Sequence, residues 1–88
     1  MWYLVAYEKL GKKPVAMMIL PTMTLDAARR IWGGTDGELL GLSLEVNEAR
    51  APLVAPYLPT QLRLDTFDYF VEFAREAEGP SRDRARQR

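Results

Sequence analysis

The 88-residue sequence has no cysteine and no histidine. That excludes a Cys/His zinc site, a Ser-His or Cys-His nucleophile pair and all thiol chemistry. Long hydrophobic runs are also missing. The apolar stretches, Trp2 to Tyr7 and Pro14 to Pro21, are far shorter than the roughly 20 residues that span a bilayer. No secretory pattern precedes them, because Met1 runs straight into Trp2-Tyr3-Leu4-Val5 without a basic segment or a small-residue cleavage site. A cytosolic location is the expectation. No cofactor-binding or metal-binding motif is present either.

What remains is a small, ordinary composition. Hydrophobic residues make up 48% and charged residues 27%, as in soluble globular domains. A chain of this length is one domain that buries only about 60% of its unfolded surface. Twelve basic side chains balance twelve acidic ones, but the balance is uneven along the chain. Residues 1–78 carry eight basic and eleven acidic side chains, a net of −3. Residues 79–88 carry Arg82, Arg84, Arg86 and Arg88 against Asp83, a net of +3. The expectation is a folded acidic body, 1–78, followed by a disordered basic tail, 79–88, that lacks the apolar residues to join a core.

The pattern points to an α+β fold. Residues 2–8 and 15–20, rich in aromatic and β-branched types, form a hairpin across Gly11, which can supply a positive φ in the turn. Both runs are apolar on each face, which suggests a central pair covered on both sides, or covered on one side by a partner. Thr24 caps a helix from Leu25 that ends at Gly33-Gly34, with Asp26 in its first turn. Thr35 to Glu38 reads as a loop, and the alternation of Leu40, Leu42, Leu44 and Val46 as an edge strand or extended connection. Asn47 caps a second helix that Pro52 and Pro56 must shorten, kink or break. Between Leu62 and Phe73 two alternating sets of opposite parity require a break near Asp65-Thr66. A helical stripe through Phe67, Phe70, Val71 and Ala74 competes there, but the aromatic and β-branched content favours a strand. The expected architecture is an antiparallel sheet, the N-terminal hairpin plus this C-terminal strand, packed against two short helices.

Carboxylates are the only candidate acid-base groups. Asp65, Asp68, Glu72 and Glu76 are spaced to share a face, yet nothing predicts the cleft that would push two carboxyl pKa values apart. A solvated face is the bland reading, and a partner-binding acidic patch the functional one. The Gly33-Gly34-Thr35-Asp36-Gly37 segment follows a helix instead of opening one, so it reads as a cap and turn, not a phosphate loop. The arginine tail could attract phosphates, but the body is acidic and no aromatic interleaves with the arginines, so nucleic-acid binding is disfavoured. The nine aromatics are mostly core, with one or two available as interface anchors.

Several segments together resemble a family of small bacterial proteins. They are Tyr3-Leu4-Val5-Ala6-Tyr7, Leu20-Pro21 leading into Leu25-Asp26, Ile31-Trp32-Gly33, the stretch Leu42 to Val46, Pro56-Tyr57-Leu58 and Asp68-Tyr69-Phe70-Val71-Glu72. They are similar to immunity proteins of contact-dependent growth inhibition and other polymorphic toxin systems. The resemblance implies stoichiometric binding of one cognate toxin domain, often a basic nuclease, without chemistry of the protein's own. Pro52 and the basic tail depart from the pattern. Acidic groups would steer a basic partner, which makes Asp36, Glu38, Asp68, Glu72 and Glu76 the expected partner-binding residues. The competing expectation is a homodimer or larger homo-oligomer, structural or regulatory, whose apolar hairpin packs on its own copy.

Overall fold

Trp2–Glu8 (β1) and Pro14–Ile19 (β2) pair antiparallel as the expected hairpin in the computed structural model, which describes residues 1–9, 11 and 13–74. Glu76 and the expected tail 79–88 lie outside these residues. A register shift between Ala6 and Tyr7 sets Tyr7 opposite Pro14, so the proline, which has no N–H to donate, falls at the strand's first position. Gly11 takes no positive φ. A Cβ there would lie 2.8 Å from Glu8 Oε1, the end of an exposed side chain that can swing aside.

The C-terminal segment is a strand, Phe67–Phe73 (β4), and the break in parity before it is a turn over residues 64–66. That turn is closed by the N–H groups of Thr66 and Phe67, both donating to Arg63 O at 2.9 Å. β4 pairs antiparallel with β1 along its whole length, Leu4 facing Val71 and Val5 facing Phe70. A two-residue strand, Leu44–Glu45 (β3), pairs with the other side of β4, giving the order β2-β1-β4-β3. β1 is therefore central, whereas β2 is an edge strand. Of the two expectations for the hairpin, a central pair covered on both sides does not hold for β2. The apolar pattern of β2 does not come from burial: Val15, Met17 and Ile19 remain 47%, 51% and 51% exposed.

Thr24 caps Leu25–Trp32 (α1) as expected, its hydroxyl accepting from the Ala27 N–H at 3.1 Å. Gly33 terminates the helix at φ +75°, a conformation that costs glycine little because it has no Cβ. The segment read as a loop is instead a helix, Asp36–Gly41 (α2). The physical reason is a capping box at Thr35-x-x-Glu38. The Thr35 hydroxyl accepts from the Glu38 N–H at 3.2 Å, and the Glu38 carboxylate accepts from the Thr35 N–H at 2.9 Å. Two otherwise orphaned donors are thereby satisfied at once. The helix absorbs Leu39 and Leu40 and leaves only Leu44 and Glu45 for the strand.

Pro52 and Pro56 act as expected. Ala51–Val54 (α3) is one turn long, with a proline in its first positions, and passes into the 3-10 turn Ala55–Tyr57, which has its own. Each proline falls where a missing N–H breaks no helical bond.

Side chains alternate across the sheet, and the two faces differ. Trp2, Leu4 and Ala6 of β1, with Tyr69 and Val71 of β4, join Leu44 and Val46 in the core. Leu20, Met23, Ala27, Ala28, Leu39 and Val54 complete this cluster from the helical side. Leu4, Leu20, Leu39, Val46, Val54 and Val71 are almost wholly buried, each contributing about 1.5–3 kcal/mol relative to exposure. Tyr3, Val5, Tyr7, Met17, Ile19, Asp68, Phe70 and Glu72 alternate onto the second face.

Candidate partner-binding face

The second face is organised by Tyr7. Val5, at its centre, is fully buried although it lies outside the main core cluster. Beside it the Tyr7 ring meets Phe70 edge to face, with centroids 5.6 Å apart and planes at 86°, the geometry favoured by the ring quadrupoles. The Tyr7 hydroxyl reaches along β4 and donates to Glu72 Oε2 at 3.4 Å. Ser43, just before β3, donates to the same oxygen at 3.0 Å. Glu72 is only 4% exposed. It is a carboxylate set into the sheet surface and held by hydroxyls from both flanking strands or their approaches.

Of the five residues expected to bind a partner, the four that the structure describes do not form one surface. Asp36 and Glu38 belong to the helical layer and have local roles. Arg29 Nη2 donates to Asp36 Oδ1 at 2.6 Å, while its Nη1 donates to Asp26 Oδ1 at 2.8 Å. These contacts, Asp36 first and Asp26 second, hold the Arg29 guanidinium above its ordinary pKa, clamping the end of α1 to the start of α2. Glu38 completes the capping box. Asp68 and Glu72 lie on the second face of the sheet, four residues apart on β4. Asp68 pairs with Lys9 Nζ at 3.0 Å, with both side chains nearly half exposed. Glu76 lies outside the described residues.

The sequence offered the apolar hairpin as a surface for a partner or a second copy without naming residues, and Val15, Met17 and Ile19 are the ones that β2 leaves half exposed. The row lies on the β2 edge, next to Tyr3, Val5 and the Tyr7–Phe70 pair. Glu45, opposite Phe70 on β3, adds an acidic group beyond the far side. The face thus has an apolar side on β2 and an acidic side on β4 and β3.

Elsewhere, a shallow depression beside α3 is lined by Ala51, Pro52, Ala55, Leu58, Leu62 and Leu64, with Thr60 and Gln61 as its polar groups. None of these side chains titrates. Among the described residues no group of three acidic side chains is placed to hold a metal ion, and no helix is long and apolar enough to cross a membrane.

Residues 1–72 match the model of a family described as a domain of unknown function, DUF7683, and the chain belongs to that family. No curated protein and no solved structure matches it.

Proposed function

We propose that this DUF7683 member is a stoichiometric binding protein, an immunity protein that neutralises a cognate toxin domain in the cytosol and carries out no chemistry itself. The observation that carries the reading is the second face of the sheet. Half-exposed Val15, Met17 and Ile19 adjoin a rigid aromatic pair, and acidic Asp68 and Glu45 lie across from them. Exposed apolar side chains flanked by charged ones are a composition that protein-binding patches use. Its acidic margin suits a basic partner such as a nuclease, whose approach it would accelerate by electrostatic steering. The resemblance to immunity proteins and the −3 charge of residues 1–78 support the same reading.

The test is to inspect the neighbouring reading frame for a toxin-like domain and to titrate that domain with the protein by calorimetry. Ile19→Lys and Asp68→Lys should each weaken binding, Ile19→Lys by about 100-fold if the apolar row is a hot spot. Unchanged affinity in both variants would overturn the assignment of this face.

The competing reading, self-association, is favoured by one feature. β2 is an edge strand with no charged side chain between Pro14 and Ile19, and such edges invite pairing with another chain. Light scattering separates the two, because a dimer abolished by Ile19→Lys would favour the homo-oligomer.

A further inference from the structure

We propose that residues 33–42, a glycine hinge and the helix α2, form a flap that opens as one unit while the sheet, α1 and α3 stay folded. The flap is a property of the domain itself and holds whether or not its partner is a toxin.

Burial is thin along this segment. From Gly33 to Leu42 every residue is exposed except Leu39. Leu39 is 1% exposed and joins the main core, where α2 packs against α1 and β4. One leucine therefore seats the whole segment.

The hydrogen bonds of the segment close on the segment itself. Thr35 and Glu38 cap each other, and the N–H groups of Leu39 and Leu42 donate to Thr35 O and Glu38 O, each at 3.0 Å. These bonds can all break together without disturbing a strand ladder. A helix of six residues does not persist alone, because its first turn fixes several dihedrals for a single bond. Gly37 and Gly41, two of those six, weaken it further relative to alanine. Once Leu39 leaves its seat, the helix melts.

A pivot and a latch complete the device. Gly33 and Gly34 have φ of +75° and +93°, a region where glycine moves without a Cβ penalty, so the backbone between α1 and the flap can swing. Across this pivot Asp36 accepts from Arg29 Nη2 at 2.6 Å, an exposed pair that water and salt replace at little cost. Arg29 Nη1 also donates to Asp26 Oδ1, which keeps the guanidinium on α1 when Asp36 departs, ready to receive it again. Opening uncovers the apolar seat of Leu39 between α1 and β4, and so gives the helical layer a second surface that the closed state lacks.

Native-state amide hydrogen exchange, followed by NMR on the full chain, tests the flap. The Leu39 and Leu42 amides should exchange through a common opening, more often than those of Leu4 and Ala6 in β1. Val5→Ala, on the second face and outside the cluster that holds Leu39, weakens the sheet alone. It should speed Leu4 and Ala6 about tenfold and leave Leu39 and Leu42 unchanged. Thr35→Ala should speed Leu39 and Leu42 about fivefold, since the cap is lost on opening. Should Val5→Ala fail to fold, low urea on the parent chain takes its place. A small opening exposes little surface, so Leu39 and Leu42 should hold their rates while Leu4 and Ala6 accelerate. An equal response of both groups to Val5→Ala or to urea would overturn the proposal, because α2 would then open only with the whole domain. So would indifference of Leu39 and Leu42 to Thr35→Ala, because the cap would persist in the exchanging state. No toxin enters this measurement, so its failure and that of the immunity reading are distinguishable.

Discussion

Tyr7 and Glu72, 65 residues apart in sequence, are joined on the second face of the sheet by a hydrogen bond from the tyrosine hydroxyl to Glu72 Oε2. The bond lies between the two central strands, next to fully buried Val5, and at 3.4 Å it is long. Tyr7→Phe keeps the Phe70 contact and removes only the hydroxyl, so it should cost about 1 kcal/mol. Ser43→Ala removes the shorter bond to the same oxygen and should cost up to about 2 kcal/mol, within the range for bonds to charged groups. Urea unfolding of both single variants and the double variant measures the two terms. Because they share an acceptor, the double variant should depart from additivity.

The capping box makes a sharper claim. Thr35→Ala should destabilise the protein by about 1 kcal/mol through loss of the N-terminal cap of α2. Asp36→Asn, which weakens an exposed ion pair with Arg29, should change stability by less than about 0.5 kcal/mol despite the short distance. Thermal melts of the two variants compare them. A larger loss for Asp36→Asn would place the anchor of α2 in the ion pair instead of the cap.

Two glycines should respond with opposite signs. Gly33 has φ +75°, so Gly33→Ala forces an unfavourable backbone region and should cost about 1 kcal/mol or more. Gly37 lies within α2, and a Cβ there would meet nothing within 4 Å. Gly37→Ala should stabilise by about 0.5–1 kcal/mol through helix propensity. Denaturant midpoints of the pair check the signs.

The two faces of the sheet should also separate on substitution. Leu4, fully buried in the main core, should cost about 2–5 kcal/mol on Leu4→Ala. Ile19→Lys, at a site already half exposed, should leave stability within about 0.5 kcal/mol of the parent while weakening binding at the second face by about 100-fold. Chemical denaturation and binding measured on the same samples show whether stability and recognition divide in this way.

The hairpin, the cap of α1 at Thr24, the shortening of α3 by its prolines and the break before β4 were all legible in the amino-acid sequence. Each depends on a local steric or hydrogen-bonding rule acting within a few residues. The helix at 36–41 was open to the same reading, since Thr35 and Glu38 form the capping signature, but the Asp36-Gly37 turn signal and the alternating leucines obscured it. The acidic residues were harder. Their charge is plain in the sequence, but whether a carboxylate caps a helix (Glu38), clamps two helices (Asp36), pairs with Lys9 (Asp68) or is set into a sheet (Glu72) depends on partners distant in the chain.

By itself, then, the sequence determined the class of fold, the limits of the hairpin, α1, α3 and β4, and the uneven distribution of charge along the chain. Only the tertiary structure decided that β2 lies at the edge and that Asp68 and Glu72 share a face with Met17 and Ile19, away from Asp36 and Glu38. The physical reason is the pairing of β1 with β4 across more than sixty residues. Strand order and the facing of side chains are set by non-local hydrogen bonds and burial, to which local propensity is blind.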